Sequence, residues 1–217
     1  MGFSLMNKIL RIFFIFFLFF VLVGFSYPQK NLKPLIVIDA GHGGRDLGAR
    51  IKNPHCEEKR LALTTANLTK KYLEQKGYRV QLTRNRDFFL PLPRRVFIAN
   101  KAKARAFVSL HFNSCPNKEA HGIEVFFSNG KKRNRAFASY NLAKHVLDGT
   151  TDRTRFKSRG IKKGNFYVIR ETKMPAILLE GGFLTNPKER DCLRQRNYLD
   201  MLAKGVAEGV DKYVKYK

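Results

Sequence analysis

A chain of 217 residues is long enough for one domain with a proper core and short for two. Its 42 Lys plus Arg stand against 17 Asp plus Glu, a formal net charge of +25. Such a surface favours anionic partners, whether nucleic acid, acidic lipid or an acidic polymer, and says nothing about fold.

The chain opens with a targeting pattern. Lys8 and Arg11 precede an uncharged apolar run, Ile12–Phe25, of the length of a signal-peptide core and short of the ~20 residues that span a bilayer. Gly24-Phe25-Ser26 offers small residues for a cut after Ser26. Residues 1–26 are therefore read as a signal peptide or an N-terminal anchor, the second implying membrane association. Either reading places the rest outside the cytoplasm, in a periplasmic or other extracytoplasmic location. Residues 27–34, YPQKNLKP, read as a polar linker, and 35–217 as one domain.

Within that domain LIVID (35–39) reads as a buried strand. Residues 58–76 carry apolar residues at helical spacing and stop at Gly77. YRVQLT (78–83) is a second strand, 92–103 a helix, AFVSL (106–110) a third strand and GIEVFFS (122–128) a fourth. Residues 134–147 form an amphipathic helix, followed by a basic run from Arg153 to Lys163. AILLE (176–180) is a fifth strand and 198–213 a closing helix. This alternation predicts an α/β fold: a single domain with a mostly parallel twisted sheet of about five or six strands, flanked by helices on both faces. Cys56, Cys115 and Cys192 lack a CxxC spacing and are read as unbridged.

Three apolar runs lead into side chains of metal or acid–base type. LIVID is followed by Ala40-Gly41-His42, AFVSL by His111, and AILL by Glu180. Sites in open α/β sheets gather at the carboxyl ends of strands, so these three can meet although distant in sequence. An acid that follows four apolar residues is costly unless paired, coordinated or protonated. The loop GHGGRDLG has Asp46 where a dinucleotide fingerprint needs glycine, and it lacks the Gly-Lys-Ser/Thr of a phosphate-binding loop. A hydrolytic zinc site needs three protein ligands and an open position. Glu57 and Glu58 both qualify as the carboxylate, and spacing does not choose between them.

The segments IVIDAGHGGRDLGA, EKRLAL, VQLTRNRD, RVFIAN, FVSLHFN, GIEVFFS and RGIKKGNFYVIRETKMPAILLEGGFLTNP resemble the zinc-dependent N-acetylmuramoyl-L-alanine amidases over residues 35–215. Ala40 stands where that family usually has proline. The resemblance implies one Zn²⁺ ion held by His42, Glu58 and His111, with Glu180 as the catalytic base. It selects Glu58, in the Glu58-Lys59 pair, over Glu57. Asn113 and Arg84 lie in matched motifs and are candidates for substrate contact. His55, His121 and His145 are read as non-ligands. The implied activity is hydrolysis of the amide between N-acetylmuramic acid and L-alanine in peptidoglycan, an activity tied to the cell wall and to cell division. A zinc peptidase acting on another stem-peptide amide, or a non-catalytic basic wall-polymer-binding protein, are the alternatives. The stretch from Ser128 to Gly160 leaves little room for an internal autoinhibitory helix. Peptidoglycan is the implied partner, with no nucleic acid, no identifiable regulatory protein and a monomeric state.

Overall fold

The first strand, β1 (Lys33–Ala40), sends Ile36, Ile38 and Ala40 into the larger of two apolar clusters and Val37 into the smaller. This is the two-residue alternation of a strand buried on both faces. The structure is a computed structural model that describes residues 33–130 and 133–216. The expected export segment and linker residues 27–32 lie outside those residues. Lys33 and Pro34, read above as linker, already belong to β1.

A two-residue ribbon follows, β2 (Arg50–Ile51) against β3 (Cys56–Glu57), and runs directly into α1 (Glu58–Gln75). Next come β4 (Tyr78–Leu82), α2 (Leu92–Lys101), β5 (Ala106–Asn113) and β6 (Ile123–Phe127). Then α3 (Arg133–Thr154), β7 (Ser158–Lys163), α4 (Tyr167–Glu171), β8 (Ala176–Phe183), α5 (Pro187–Leu193) and α6 (Arg196–Lys215) complete the domain. The main sheet has six strands in the order β4-β1-β5-β8-β6-β7. Its first four are mutually parallel, β6 runs antiparallel to β8, and β7 runs parallel to β6. This is the α/β sheet expected from the sequence, with helices on both faces.

The two faces are covered unequally. Side chains of α1, α3 and α6 share the larger cluster with Val108, Leu110, Ile177 and Leu179. Among the described residues the other face carries the short helices α2 and α4, through Val96, Ala99, Val168 and Ile169. Alternation puts Asp39 behind Val37, Ser109 and His111 behind Phe107, and Glu180 behind Leu178. The polar side chains of three parallel strands thus share the thinly covered face, where a site can stay open.

The ribbon β2–β3 and the short helices α4 and α5 are absent from the sequence reading, and two further elements depart from it. Helix α3 runs seven residues beyond 147, through Gly149 and three threonines, all poor helix formers. Thr150, Thr151 and Thr154 return their hydroxyls to carbonyls of the preceding turn, and Gly149 meets Gly205 of α6 so closely that a Cβ would lie 2.5 Å from the Gly205 oxygen. Tertiary packing outweighs propensity there. Part of the basic run Arg153–Lys163 is β7, an edge strand; charged side chains guard such an edge against further pairing. Among the described residues no helix is long and apolar enough to cross a membrane. Cys56, Cys115 and Cys192 are free thiols.

Candidate metal centre

His42 leaves β1 in a left-handed backbone conformation, φ 58°, uncommon for a residue with a Cβ and held only where surroundings enforce it. Two buried arginines supply that enforcement. Arg95 donates to the His42 carbonyl at 2.6 Å, to the Ala40 carbonyl at 2.5 Å and to Asp39 Oδ1 at 2.8 Å. Arg84 donates to the Ala40 carbonyl at 3.0 Å, the Gly41 carbonyl at 2.7 Å and the Lys59 carbonyl at 2.9 Å. Asp39 also accepts from Thr83 at 2.5 Å and Ser109 at 2.7 Å. Burial alone would raise its pKa, but Arg95 and the two hydroxyls hold it below the usual carboxylate value.

The loop then closes on itself through paired backbone bonds between Gly43 and Asp46. That turn sets Asp46 Oδ1 2.8 Å from His42 Nδ1, and so directs Nε2 to the opposite side, 3.0 Å from Glu58 Oε1. Glu58 opens α1 and is anchored on Ala49 through both backbone and side chain: Glu58 N donates to the Ala49 carbonyl and Ala49 N donates to Glu58 Oε2 at 2.8 Å. His111 Nδ1 lies 2.8 Å from the same Glu58 Oε1, which also accepts from Phe112 N at 3.1 Å. The two imidazole rings stand edge to face with centroids 4.8 Å apart.

His42, Glu58 and His111 thus each offer one ligand atom, all within 4.8 Å of one another. Two imidazole nitrogens and a carboxylate oxygen are a donor set that fits a divalent first-row metal, zinc included. Electrostatics agree. Burial would raise the Glu58 pKa, yet bonds from His111 and His42 drive it far below the carboxylate range. Burial would lower that of His42, yet Glu58 and Asp46 hold it above the ordinary histidine value.

Two glycines make the convergence sterically feasible. A Cβ on Gly41 would lie 2.4 Å from His111 Cε1, and a Cβ on Gly48 (φ 65°) would lie 2.5 Å from Glu58 Oε2.

Glu180 is the Cα partner of His111 across β5–β8. Its Oε2 is buried without a hydrogen-bond partner. Burial first, then the negative charges of Glu58 and Glu124, push its pKa well above the carboxylate range. Glu124 is the Cα partner of Glu180 on the other side. It accepts from Asn113 Nδ2 at 2.7 Å, Arg159 Nε at 2.8 Å and Lys162 Nζ at 2.5 Å, and against the effect of burial these cations keep its pKa low. Beside the histidines a recess of about 100 Å³ is walled by Phe89, Leu92 and Val168.

The sequence candidates therefore separate. His42, Glu58, His111 and Glu180 come together. Asn113 stands beside them, with its amide oxygen accepting from Ser114 N and its nitrogen bound to Glu124. Arg84 is 1% exposed, and the hydrogen bonds of its guanidinium go to backbone carbonyls, so it clamps the loop. Glu57 points away, 3.8 Å from Arg50 Nε and 3.6 Å from His55 Nε2. His121 binds the Glu119 carbonyl and His145 stacks on Tyr216. Asp39, Asp46, Arg95 and Glu124 were not singled out from sequence. Asp46 had a faint signal, an acid four residues after His42; Glu124 had another, a lone acid inside the apolar run GIEVFF.

Residues 36–212 match the family described as N-acetylmuramoyl-L-alanine amidase. The amidase AmiC of Neisseria meningitidis serogroup B is 32% identical over 84% of this chain and 53% of its own length. The chain thus spans little more than half the length of this and similar curated relatives. Among solved structures, the catalytic domain of CwlV from Bacillus (Paenibacillus) polymyxa is 38% identical with a TM-score of 0.77, covering 85% of this chain and 99% of that one. An N-acetylmuramoyl-L-alanine amidase from Clostridium difficile 630 is 36% identical with a TM-score of 0.81, covering 86% and 100%. Fold, converging site residues and sequence match agree that this chain belongs to the N-acetylmuramoyl-L-alanine amidase family.

Proposed function

We propose that this domain hydrolyses the amide between N-acetylmuramic acid and L-alanine in peptidoglycan, with one zinc ion held by His42, Glu58 and His111 and with Glu180 as the proton carrier. The observation that carries this reading is the meeting of His42 Nε2, His111 and Glu58 Oε1 beside a carboxyl, Glu180, whose Oε2 has no other partner. Bound zinc supplies a polarised carbonyl and a water of lowered pKa. The chain's own residues do the rest. Asp46 fixes the ring orientation of His42. Glu180 accepts the water proton at its carboxylate and returns it to the leaving amine nitrogen; its burial and its acidic neighbours favour the protonated state, which makes the carboxylate a stronger base than an exposed one. The walls at Phe89, Leu92 and Val168 suit a small apolar group next to the scissile bond.

The N-terminal targeting pattern supports action outside the cytoplasm, where a strongly basic surface meets the anionic wall. The stretch between β6 and β7 is taken up by α3, which packs on α6 and the sheet, and this supports an enzyme without an internal blocking helix. The test is digestion of purified peptidoglycan followed by mass analysis. Stem peptides bearing a free N-terminal alanine are expected from the wild type, and none from Glu180→Ala or from chelator-treated protein. Cuts elsewhere in the stem peptide would assign a peptidase instead, and undiminished activity in Glu180→Ala would remove the mechanism.

A further inference from the structure

Glu57, the residue before the metal-ligand candidate Glu58, lines a separate cleft of about 340 Å³. Its walls come from β3, from the first two turns of α1 and from the junction of α5 with α6. Arg60, Arg194 and Arg196 all line it, and all three are exposed. Among the described residues none of these three guanidiniums has a hydrogen bond or an ion pair. The one carboxylate in the cleft, Glu57, is already shared with Arg50 and His55.

Elsewhere the fold answers many of its arginines. Arg153 pairs with Glu208, Arg159 with Glu124, Arg170 with Glu171 and Arg95 with Asp39, while Arg84 spends its donors on carbonyls. Three unanswered like charges around one concavity repel one another unless an anion joins them. Guanidinium forks match phosphate oxygens in bidentate geometry. Three such forks exceed what one carboxylate's two oxygens can satisfy, and successive phosphates of a chain can meet them in turn. The volume admits more than a single phosphate group.

We propose that the cleft of Arg60, Arg194 and Arg196 binds a phosphate-bearing chain and so holds the protein on an anionic polymer, independently of amide hydrolysis. The test measures binding, not activity, so it stands whether or not the hydrolytic reading does. The purified chain is titrated at about 0.15 M salt with linear polyphosphate, with phosphatidylglycerol vesicles and with poly-glutamate. Wild type is compared with Arg60→Gln/Arg194→Gln/Arg196→Gln and with Arg79→Gln/Lys101→Gln/Lys144→Gln, a control at exposed positions that removes the same charge. Thermal melting checks that each variant folds. The cleft variant is expected to lose affinity by roughly tenfold or more, and the control by far less. That pattern with polyphosphate upholds the proposal; that pattern with vesicles and not with polyphosphate assigns a lipid headgroup instead of a polymer and overturns it. Equal losses in both variants, no saturable binding by wild type, or equally tight cleft-dependent binding of poly-glutamate overturns it.

Discussion

Glu124 and Glu180 face each other as Cα partners across the antiparallel β6–β8 pair, and only one of them is answered by positive charge. Like charges directly opposite are destabilising. Arg159 and Lys162 keep Glu124 ionised, so the repulsion falls on Glu180, adding to the burial that already favours its proton. Glu124→Gln removes the opposing charge and keeps the shape. On the proposed mechanism the acid limb of the kcat/KM profile reports loss of the Glu180 proton, and it is expected to move to lower pH in that variant. A profile that superimposes on wild type would show that this coupling does not reach Glu180.

The same charges give the metal-free domain a pH-dependent stability. The folded-state pKa of His42 is raised above 6.5, so its contribution is complete below that value and is lost as pH rises through the folded pKa. The carboxyl of Glu180 is raised from 4.5. It costs nothing below that value, and its cost grows as pH climbs toward the folded pKa. Both push the same way. Chelator-treated protein is expected to melt at a lower temperature at about pH 9 than at about pH 6, with a smaller fall in Glu180→Gln. Zinc binding requires unprotonated ligands, so the gap between loaded and stripped protein should widen over the same interval. Scanning calorimetry at both pH values checks this, and a stripped protein whose Tm does not fall between them, or falls as much in Glu180→Gln as in wild type, would contradict it.

How legible these features are in sequence follows from how local their causes are. The strands β1, β5 and β8 announce themselves as short, mostly apolar runs, although Asp39 and Ser109 lie inside two of them, and the histidine or glutamate that follows each run is then conspicuous. That suffices to find His42, His111 and Glu180. It misplaces them slightly, since β5 and β8 continue past His111 and Glu180 to Asn113 and Phe183. Glu58 is separated from Glu57 only by family resemblance or by geometry, because the two are adjacent acids at the junction of β3 with α1. Strand β7, SRGIKK, leaves no alternation to read: it lies at the sheet edge and pairs on one side only. Arg95 is silent, and Glu124 shows only as a lone acid in an apolar run, because their roles rest on partners far away in the chain, Asp39 for one and Arg159 with Lys162 for the other.

Gly41 tests whether the ligand geometry is as tight as it is drawn. A Cβ there would sit 2.4 to 2.7 Å from three atoms of the His111 ring, and that ring is held at Glu58 Oε1. Gly41→Ala must displace the imidazole or the loop, while the rest of the fold has no reason to fail. The expected outcome is a folded protein with zinc affinity reduced about 10- to 100-fold, the range seen when ligand orientation is disturbed. Competition against a chromophoric chelator measures it. Wild-type affinity in Gly41→Ala would mean that the loop relaxes without effect on the site.

Arg84 links the two elements that carry ligands, since one guanidinium nitrogen donates both to the Gly41 carbonyl beside His42 and to the Lys59 carbonyl beside Glu58. It is 1% exposed. In Arg84→Lys a single ammonium cannot reach the carbonyls of Ala40, Gly41 and Lys59 together, so buried acceptors lose their donors. Loss of about 2–4 kcal/mol of stability is expected, along with a fall of about tenfold or more in zinc affinity, because His42 and Glu58 are no longer tied to each other. A direct substrate contact would behave differently: KM would rise while zinc affinity and Tm stayed near wild type. Measuring KM, zinc affinity and Tm on the same variant separates the two roles, and burial together with four carbonyl partners places Arg84 with the clamp.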